Sequence, residues 1–481
     1  MSPPTDTRVP MLVVTNGLFL TMAAGLPEPY VGWMEVGSDG RISGLGAGSY
    51  DPRRIGGATT TGVLDVDGAF VAPGFVSAHS HLHTSGSRGL GMDQSLYGWI
   101  DAMTVHTRIA EAEDLYWFTL HGSLDFLNNG ITTAFDFTAG RLRFRRESDG
   151  VAAFVGPLRA PEIAYEQVRA KIDSGIRFVN SIPLDDGVGD GNEILGRLAD
   201  VLHYSDKFRD HPGYLANAIS GAVQWAPAKI TAAIEAEAMA RFGLLNQAHF
   251  LETPHEIELQ RSKFAWYRDA GALGPKLLFG HFIQADDEQI IEAAAHDCGA
   301  VWQPTSNGRL ASGVANVPRW LDAGMRVGVG LDDQSCTDVS DPFQNLRIGI
   351  YLQRAANKDP RAMGVAQMLE LHTRASAHVL GVDADVGSLE VGKFADFLVV
   401  DPTAPDTGPI WDPYGTYVLA CSLRNLKQVW VGGQLISDNG VIVSQDGEIV
   451  SRELHERMAR LEAQHRADSA SSGSTGVSVR S

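Results

Sequence analysis

Apolar runs of strand length alternate with helical stretches through most of this chain, from about residue 70 to residue 383. The strand-like runs include ITTAFDF, LLNQAHF, LLFGHF and RVGVGLD. Alternation of this kind is typical of βα units around a parallel sheet. Shared among eight units, the segment provides about 39 residues for each, which is enough for a (β/α)8 barrel with insertions. We therefore predict an α/β fold with a TIM barrel over residues 70–383.

The two ends of the chain have a different pattern, in which short β-branched runs are broken by glycine turns. The runs before the barrel and the later runs DFLVVDP and QVWVGGQLISDNGVIV share this character. We predict one small β-sandwich domain formed jointly by residues 1–69 and 384–466. Residues 467–481 are small and polar without apolar periodicity, so we expect a disordered tail.

The composition excludes several classes of partner. Asp and Glu outnumber Lys and Arg by 58 to 39, and the formal net charge of −19 would repel phosphate backbones and anionic lipids. No apolar run reaches the roughly 18 residues that span a bilayer, and the first residues lack the pattern of a secretion signal. The three cysteines are too far apart for a CxxC pair. We expect a cytoplasmic protein that acts on a small molecule, with no nucleic-acid or membrane partner.

The strongest chemical signal is the pair His79 and His81 at the end of an apolar run. Residues i and i+2 of a strand point to the same side, where two imidazoles can share one metal ion. Two core histidines would show the same spacing, but His249, His281 and Asp332 also follow predicted strands. The carboxyl ends of all barrel strands meet at one face, so these side chains should converge. Such a set suits a divalent metal, with zinc as the first expectation and iron, cobalt or manganese as alternatives.

These motifs, in this order, resemble the amidohydrolase superfamily, in the branch that contains cytosine deaminase and the triazine hydrolases. Residues 249–252 (HFLE) are similar to the HxxE of that branch, Ser306-Asn307 to its PxSN element, and residues 387–396 to its GSLExGKxAD signature. The resemblance covers nearly the whole chain. It implies that His79, His81, His249 and Asp332 bind the metal. A bridging lysine, present in binuclear relatives, is missing near residues 220–225, so we expect one metal ion per subunit.

The resemblance also suggests catalytic roles for three residues. Asp332 can take the proton of the metal-activated water, and His281 can polarise the scissile bond. Glu252 would protonate the leaving group, and the alternative is that it only orients a metal-bound histidine.

Five more residues near the motifs are candidates for substrate binding. Asp333 and Gln334 stand where ring deaminases usually have TDG after the eighth strand, which would change leaving-group recognition. His83 continues the period-two pattern of the histidine pair, although an ordinary loop histidine would do the same. The complete set is His83, Gln303, Asn307, Asp333 and Gln334.

Three functions remain open. The stretches GRLASG and LDDQSCTDVSDPFQNLRIGIY are closer to hydrolases of phenylureas and thiocarbamates, so our leading expectation is cleavage of a C–N or C–S bond at the carbonyl of a small neutral amide, urea or (thio)carbamate. The enzymatic alternative is an aminohydrolase or chlorohydrolase acting on a nitrogen heterocycle. The third is an inactive barrel that serves as a binding subunit, against which the intact ligand set argues. Barrels of this type commonly associate, so we expect a homo-oligomer.

Overall fold

The computed structural model of the chain describes residues 10–55, 62–146, 152–154 and 156–473. Its first five strands belong to a small sheet: β1 (Leu12–Phe19), β2 (Tyr30–Val36), β3 (Ile42–Ala47), β4 (Gly62–Asp65) and β5 (Phe70–Pro73). The sequence pattern places the start of the barrel at residue 70, but Phe70 pairs with Leu18 of β1. The first barrel strand begins only at Phe75.

Eight parallel strands form the barrel, and the predicted fold class is confirmed. They follow one another around the sheet in chain order. The backbone amide of Asp332 donates to the carbonyl of His79 at 3.0 Å and brings the eighth strand to the first. The strands are β6 (Phe75–Ser80), β7 (Ile131–Phe137), then, after a hairpin of β8 (Phe144–Arg146) and β9 (Ala152–Phe154), β10 (Arg177–Pro183), β11 (Tyr214–Gly221), β12 (Leu245–Phe250), β13 (Leu277–His281), β14 (Gly299–Trp302) and β15 (Arg326–Val329).

Helices connect and cover the barrel strands. All seven residues of β7 are buried, as expected for a parallel strand covered on both faces. The helices are α1 (Leu96–Ile109), α2 (Ala112–Asn128), α3 (Glu162–Ser174), α4 (Gly191–Ser205), α5 (Ile230–Phe242), α6 (Ile257–Ser262), α7 (Phe264–Asp269), α8 (Asp287–Ala295), α9 (Pro304–Arg309), α10 (Val317–Asp322), α11 (Gln334–Thr337), α12 (Pro342–Asn357), α13 (Val365–Leu371) and α14 (Arg374–Val379).

The small sheet receives its remaining strands from the end of the chain. They are β16 (Phe397–Val400), β17 (Leu426–Val431), β18 (Gln434–Asp438) and β19 (Val441–Ile442), with a one-turn helix, α15 (Pro413–Gly415), before β17. Leu398 of β16 pairs with Ala72 of β5, so hydrogen bonds join strands from both chain ends into one nine-stranded sheet. The two ends of the chain therefore contribute strands to the same sheet.

The last element is a long helix, α16 (Gly447–Gly473), which packs on the barrel. Leu454 and Leu461 join Leu115 and Phe118 of α2 in one apolar cluster. The sequence prediction assigns residues 447–466 to the small β domain and begins the disordered tail at residue 467. Both points are wrong, because an apolar stripe at helical spacing docks this segment on α2 and the helix continues to Gly473. Residues 474–481 lie outside the described residues.

Within the described residues, no helix combines the length and apolar character needed to span a bilayer.

Candidate functional site

The ionisable residues that the sequence singles out lie together at one end of the barrel. His79 is on β6 and His81 follows it, while His249 and His281 are at the ends of β12 and β13. Asp332 comes three residues after β15. All are buried except His81, whose side chain keeps 17% of its surface exposed. The predicted convergence is therefore present in the structure.

Four of these side chains have the spacing of a metal coordination shell. Nε2 of His79 and Nε2 of His81 lie 3.5 Å and 3.6 Å from Oδ1 of Asp332. Nε2 of His81 lies 3.1 Å from Nε2 of His249. Ligand atoms bound tetrahedrally to zinc at its usual bond lengths are separated by about 3.3 Å. The distances fit one ion shared by His79, His81 and Asp332, and His249 lies beside His81 and forms a second possible set with His79 and His281. His79, His81, His249 and Asp332 are called the ligand group below.

The hydrogen bonds of His79 also indicate that an ion can bind at this position. Its Nδ1 lies 2.6 Å from Oε1 of Gln247, whose amide nitrogen donates to the carbonyl of Ala78. This second bond fixes the orientation of the amide, so Nδ1 of His79 donates to Gln247 and Nε2 is directed at Asp332. Nε2 is buried, has no hydrogen-bond partner among the described residues and faces the Asp332 carboxylate. A cation between Nε2 and the carboxylate, either a metal ion or the proton of an imidazolium, would satisfy both atoms.

The Nδ1 atom of His281 is an acceptor, unlike that of His79, which donates. The side-chain nitrogen of Asn307 lies 2.9 Å from Nδ1 of His281, so Nδ1 accepts and the ring proton is on Nε2. Burial lowers the pKa of His281 to about 3, and the ring is neutral at ordinary pH. Its Nε2 lies 3.5 Å from Oε1 of Glu252 and 4.0 Å from Oδ2 of Asp332. His281 therefore presents a neutral N–H donor beside the ligand group.

Asp332 is kept ionised despite its burial. Burial alone would raise the pKa of its carboxyl group, but the contact with His79 and the neighbouring imidazoles hold the pKa well below its usual range. Ser306 Oγ also donates to Oδ2 at 2.6 Å. Asp332 and His281 both adopt left-handed backbone angles, with φ of 71° and 68°. Such angles cost about 1–3 kcal/mol each in non-glycine residues and cluster at functional sites.

A cavity of about 500 Å³ opens beside the ligand group. Of the five predicted substrate-binding residues, His83 and Asp333 line it. Burial lowers the pKa of His83 to about 4, so this side chain is neutral. Asp333 also caps α11, because its Oδ1 accepts from the backbone amide of Cys336 and the hydroxyl of Ser335.

The other three predicted substrate-binding residues do not line the cavity. Gln303 accepts from the backbone amide of His281, and Asn307 contacts the ring of the same histidine. Gln334 donates to the carbonyl of Gly122. Beyond the strand ends the loop backbone turns these amides toward protein groups: two contact His281 and the third contacts the backbone of α2. Their role in substrate binding stays a prediction.

Several residues that support the site escaped the sequence analysis. The Phe137 ring stacks on the ring of His81 at 4.8 Å and lies 4.5 Å from that of His249. Gly330 is needed because a Cβ there would lie 2.6 Å from Cβ of His79. The signal for Gln247 was available: it precedes His249 by two residues on β12, so both side chains point to the same side.

The Amidohydrolase family matches residues 70–436 of the chain. The chain belongs to this family. The predicted superfamily is thus confirmed, and the protein is a metal-dependent hydrolase that acts on carbon–nitrogen bonds.

Two curated relatives carry the same name. The 5-methylthioadenosine/S-adenosylhomocysteine deaminase of Syntrophobacter fumaroxidans is 26% identical over 457 residues, which cover 92% of this chain and 96% of the relative. The enzyme of that name from Bacillus cereus strain AH820 is 28% identical over 403 residues, covering 80% and 86%. These names favour the deaminase alternative over the leading expectation of amide, urea or carbamate cleavage.

Solved structures share the fold at lower identity. An adenosine deaminase from Xanthomonas campestris with bound zinc has a TM-score of 0.81 at 19% identity, covering 94% of this chain and 98% of that one. An atrazine chlorohydrolase from Arthrobacter aurescens TC1, complexed with zinc, has a TM-score of 0.76 at 19% identity, covering 93% and 100%. At this identity the likeness concerns the fold alone.

Proposed function

We propose that this protein is a zinc-dependent aminohydrolase, which replaces an amino group on a ring carbon of a nitrogen heterocycle with oxygen and releases ammonia. The observation that carries the proposal is the placement of His281 Nε2 between the carboxylates of Glu252 and Asp332, next to the ligand group. The deaminase names of relatives that align over most of the chain support the choice of reaction.

The residues present fit a single divalent ion. Three imidazole nitrogens and one carboxylate oxygen form an N/O donor set of the kind that zinc accepts. Nε2 of His79 has no hydrogen-bond partner among the described residues and lies 3.5 Å from Oδ1 of Asp332, so an ion bound by both would satisfy it. When bound, such an ion lowers the pKa of a coordinated water to about 7 and so supplies a hydroxide nucleophile at neutral pH.

Asp332 and His281 complete the attack on the ring carbon. Oδ2 of Asp332 accepts the proton that the water loses, because the carboxylate is ionised and directed to the same centre. The neutral His281 donates its Nε2 hydrogen to the oxygen as negative charge develops there. Asn307 preserves this tautomer by occupying Nδ1.

Glu252 acts as the general acid that allows the amino group to leave. Its carboxyl group is only 3% exposed and lines the cavity beside His281. A protonated carboxyl at this position can protonate the ring nitrogen next to the attacked carbon. The amino group then leaves as ammonia with the proton that Asp332 took from water, and Glu252 takes the hydroxyl proton as the ring carbonyl forms. The balance is one amidine carbon and one water giving a ring carbonyl, a ring N–H and ammonia. A carboxylate that only orients His281 would not carry a proton.

The test is ammonia release by zinc-loaded protein over a panel of amino-substituted purines, pyrimidines and triazines, with aryl ureas, thiocarbamates and chlorotriazines as competing classes. We expect ammonia and an intact hydroxylated ring from the first group. Glu252→Gln should lower kcat by about 10²–10⁴-fold, in the range expected for a general acid, without reducing bound zinc. Cleavage of ureas or carbamates into two organic fragments, with no ammonia from any heterocycle, would overturn the proposal.

A further inference from the structure

The cavity wall beyond the ligand group is mainly apolar. It is formed largely by α1, the loop after β7, and the segment after β11. Its large apolar side chains include Trp99, Ile100, Met103, Leu142, Phe144 and Trp225. The indole N–H of Trp99 already donates to the carbonyl of Ser335, so this residue offers the ligand its ring surface.

The hydroxyl groups on this wall are already engaged within the protein. Among the described residues that line the cavity, five carry a hydroxyl on a serine or threonine side chain. Each is hydrogen-bonded to another protein group at 2.6–3.3 Å. Three donate to backbone carbonyls: Thr104 to that of Ile100, Thr107 to that of Thr104, and Thr138 to that of Ser181. Thr231 donates to Oδ2 of Asp186, and the hydroxyls of Ser220 and Ser181 share one hydrogen bond. The hydroxyl protons of Thr104, Thr107, Thr138 and Thr231 are therefore already used, and these oxygens can still accept from a ligand but not donate to it without losing a bond.

The carboxylates away from the ligand group are also occupied. The two oxygens of Asp185 accept from the backbone amides of Arg141 and Leu142 at 2.9 Å and 3.0 Å. Asp186 accepts from the hydroxyl of Thr231. The vicinal diol of a ribosyl group needs acceptors for two hydroxyl protons, and on this wall they would have to be further lone pairs of these hydroxyl and carboxylate oxygens.

The arginines of the wall have protein partners as well. Arg108 pairs with Asp101 and Arg143 with Glu111. Arg159 donates through Nη1 to the carbonyls of Thr107 and Ala110 and through Nη2 to the carbonyl of Gly140. Nε of Arg143 and Nε of Arg159 have no hydrogen-bond partner among the described residues, so an anionic substituent is the competing ligand that an experiment has to include.

We propose that this wall selects a heterocycle with an uncharged, apolar substituent rather than a nucleoside. The inference rests on the proposed aminohydrolase function and goes beyond it, because the relatives are named for nucleoside-derived substrates. The reacting ring would lie beside His281 and Glu252, and the substituent would cover the apolar side chains of α1. A phenyl-sized group would cover these apolar side chains with apolar surface, whereas a ribosyl group would place its hydroxyls against them.

The experiment compares zinc-loaded protein on adenines that differ only at N9. The set is 9-benzyladenine, 9-methyladenine, adenosine, 5′-methylthioadenosine and 9-(2-carboxyethyl)adenine. We expect kcat/KM for 9-benzyladenine to exceed that for adenosine by at least about tenfold, a difference of about 1.4 kcal/mol in transition-state binding. Equal or higher kcat/KM for adenosine or its methylthio analogue would overturn the inference and leave the aminohydrolase function intact. Preference for the carboxyethyl compound would overturn it in favour of an anion site at the arginines.

A pair of variants on α1 locates the effect in the wall. Ile100 lines the cavity, whereas Ile109 on the same helix packs in the cluster beneath α16. Ile100→Ala should lower the ratio of kcat/KM for 9-benzyladenine to that for 9-methyladenine by about 3–10-fold, and Ile109→Ala should leave the ratio unchanged. The ratio is insensitive to a partly unfolded fraction. An unchanged ratio in Ile100→Ala would contradict the inference, and no ammonia from any adenine would instead reject the aminohydrolase assignment for this ring class.

Discussion

Oε1 of Gln247 lies 2.6 Å from Nδ1 of His79, and this contact determines which ring nitrogen faces Asp332. The amide cannot reverse its role, because its nitrogen donates to the carbonyl of Ala78 at 2.9 Å. The imidazole is therefore held with its Nε2 toward Asp332. Contacts of this kind behind a metal ligand typically contribute 10–100-fold in metal affinity.

Replacing Gln247 by leucine should therefore weaken metal binding. We expect Gln247→Leu to raise the Kd for zinc by about 10–100-fold, measured by competition with a chromophoric chelator. Gln353→Leu is the control, because Gln353 is also fully buried and donates to a backbone carbonyl, that of Ala315, far along the chain from the ligands. Equal zinc affinity in the two variants would show that Gln247 does not set the tautomer.

Substitution of Gly330, which packs against His79, tests how tightly the position of this histidine is constrained. A Cβ at Gly330 would lie 2.6–2.8 Å from three atoms of His79, including backbone atoms that cannot move independently of β6. We expect Gly330→Ala to lower the free energy of unfolding by about 1–3 kcal/mol and to reduce bound zinc per chain. In Gly196→Ala, where the added Cβ meets no atom within 4 Å in the middle of α4, stability should be unchanged or rise by about 0.5–1 kcal/mol. Full zinc occupancy in Gly330→Ala would contradict the structure.

A buried ion pair behind the histidine loop should be essential for stability. Lys171 Nζ lies 2.6 Å from Oδ2 of Asp136, and the other oxygen of Asp136 accepts from the amide of Leu82, next to His81. Lys171→Met should lower the free energy of unfolding by about 3–5 kcal/mol, because it leaves a buried charge without its partner. Adding Asp136→Asn removes that charge and should recover part of the loss in urea denaturation. A double variant no more stable than Lys171→Met would refute this explanation.

His372 should make stability depend on pH. It is fully buried, its Nδ1 donates to the carbonyl of Val76, and burial lowers its pKa from 6.5 to about 4. The folded state thus binds fewer protons than the unfolded state between these values, so the contribution of His372 to stability is complete above pH 6.5 and is lost as pH falls toward 4.

The check is the free energy of unfolding measured from pH 7 to pH 4.5 for the parent and for His372→Asn, which keeps a donor for Val76. The parent should lose about 2–3 kcal/mol more than the variant over this range. The same loss in both proteins would mean that other groups cause the acid sensitivity.

The convergence of the candidate metal ligands was predictable because it depends only on strand ends. His79, His249 and His281 each end an apolar run, and a closed parallel barrel brings all such ends together. It was harder to predict which residues line the cavity. The direction of a side chain past the strand end depends on loop backbone that the local sequence does not specify. Asp332 with its φ of 71° is an example, and Gln303 and Asn307 turn toward His281 instead of the cavity.

Elements far apart in sequence were the other source of error. The cavity wall on α1 depends on how that helix docks, and no local pattern distinguishes Ile100 from any other buried helix residue. The stripe of Leu454, Met458 and Leu461 in α16 has helical spacing. Its proximity to a polar tail led to the wrong boundary at residue 467.

The most direct test of the central claim is the fate of solvent oxygen during turnover. Zinc-loaded protein would be incubated with the amino-heterocycle panel and the urea and carbamate panel in water enriched in ¹⁸O, with Asp332→Asn as the inactive comparison, and the products analysed by mass spectrometry. The account predicts ¹⁸O on the carbon of an intact ring that has lost its amino group, one ammonia per turnover, and no label with Asp332→Asn. Label in the carbonyl fragment of a cleaved urea or carbamate, with every ring amine retained, would contradict it.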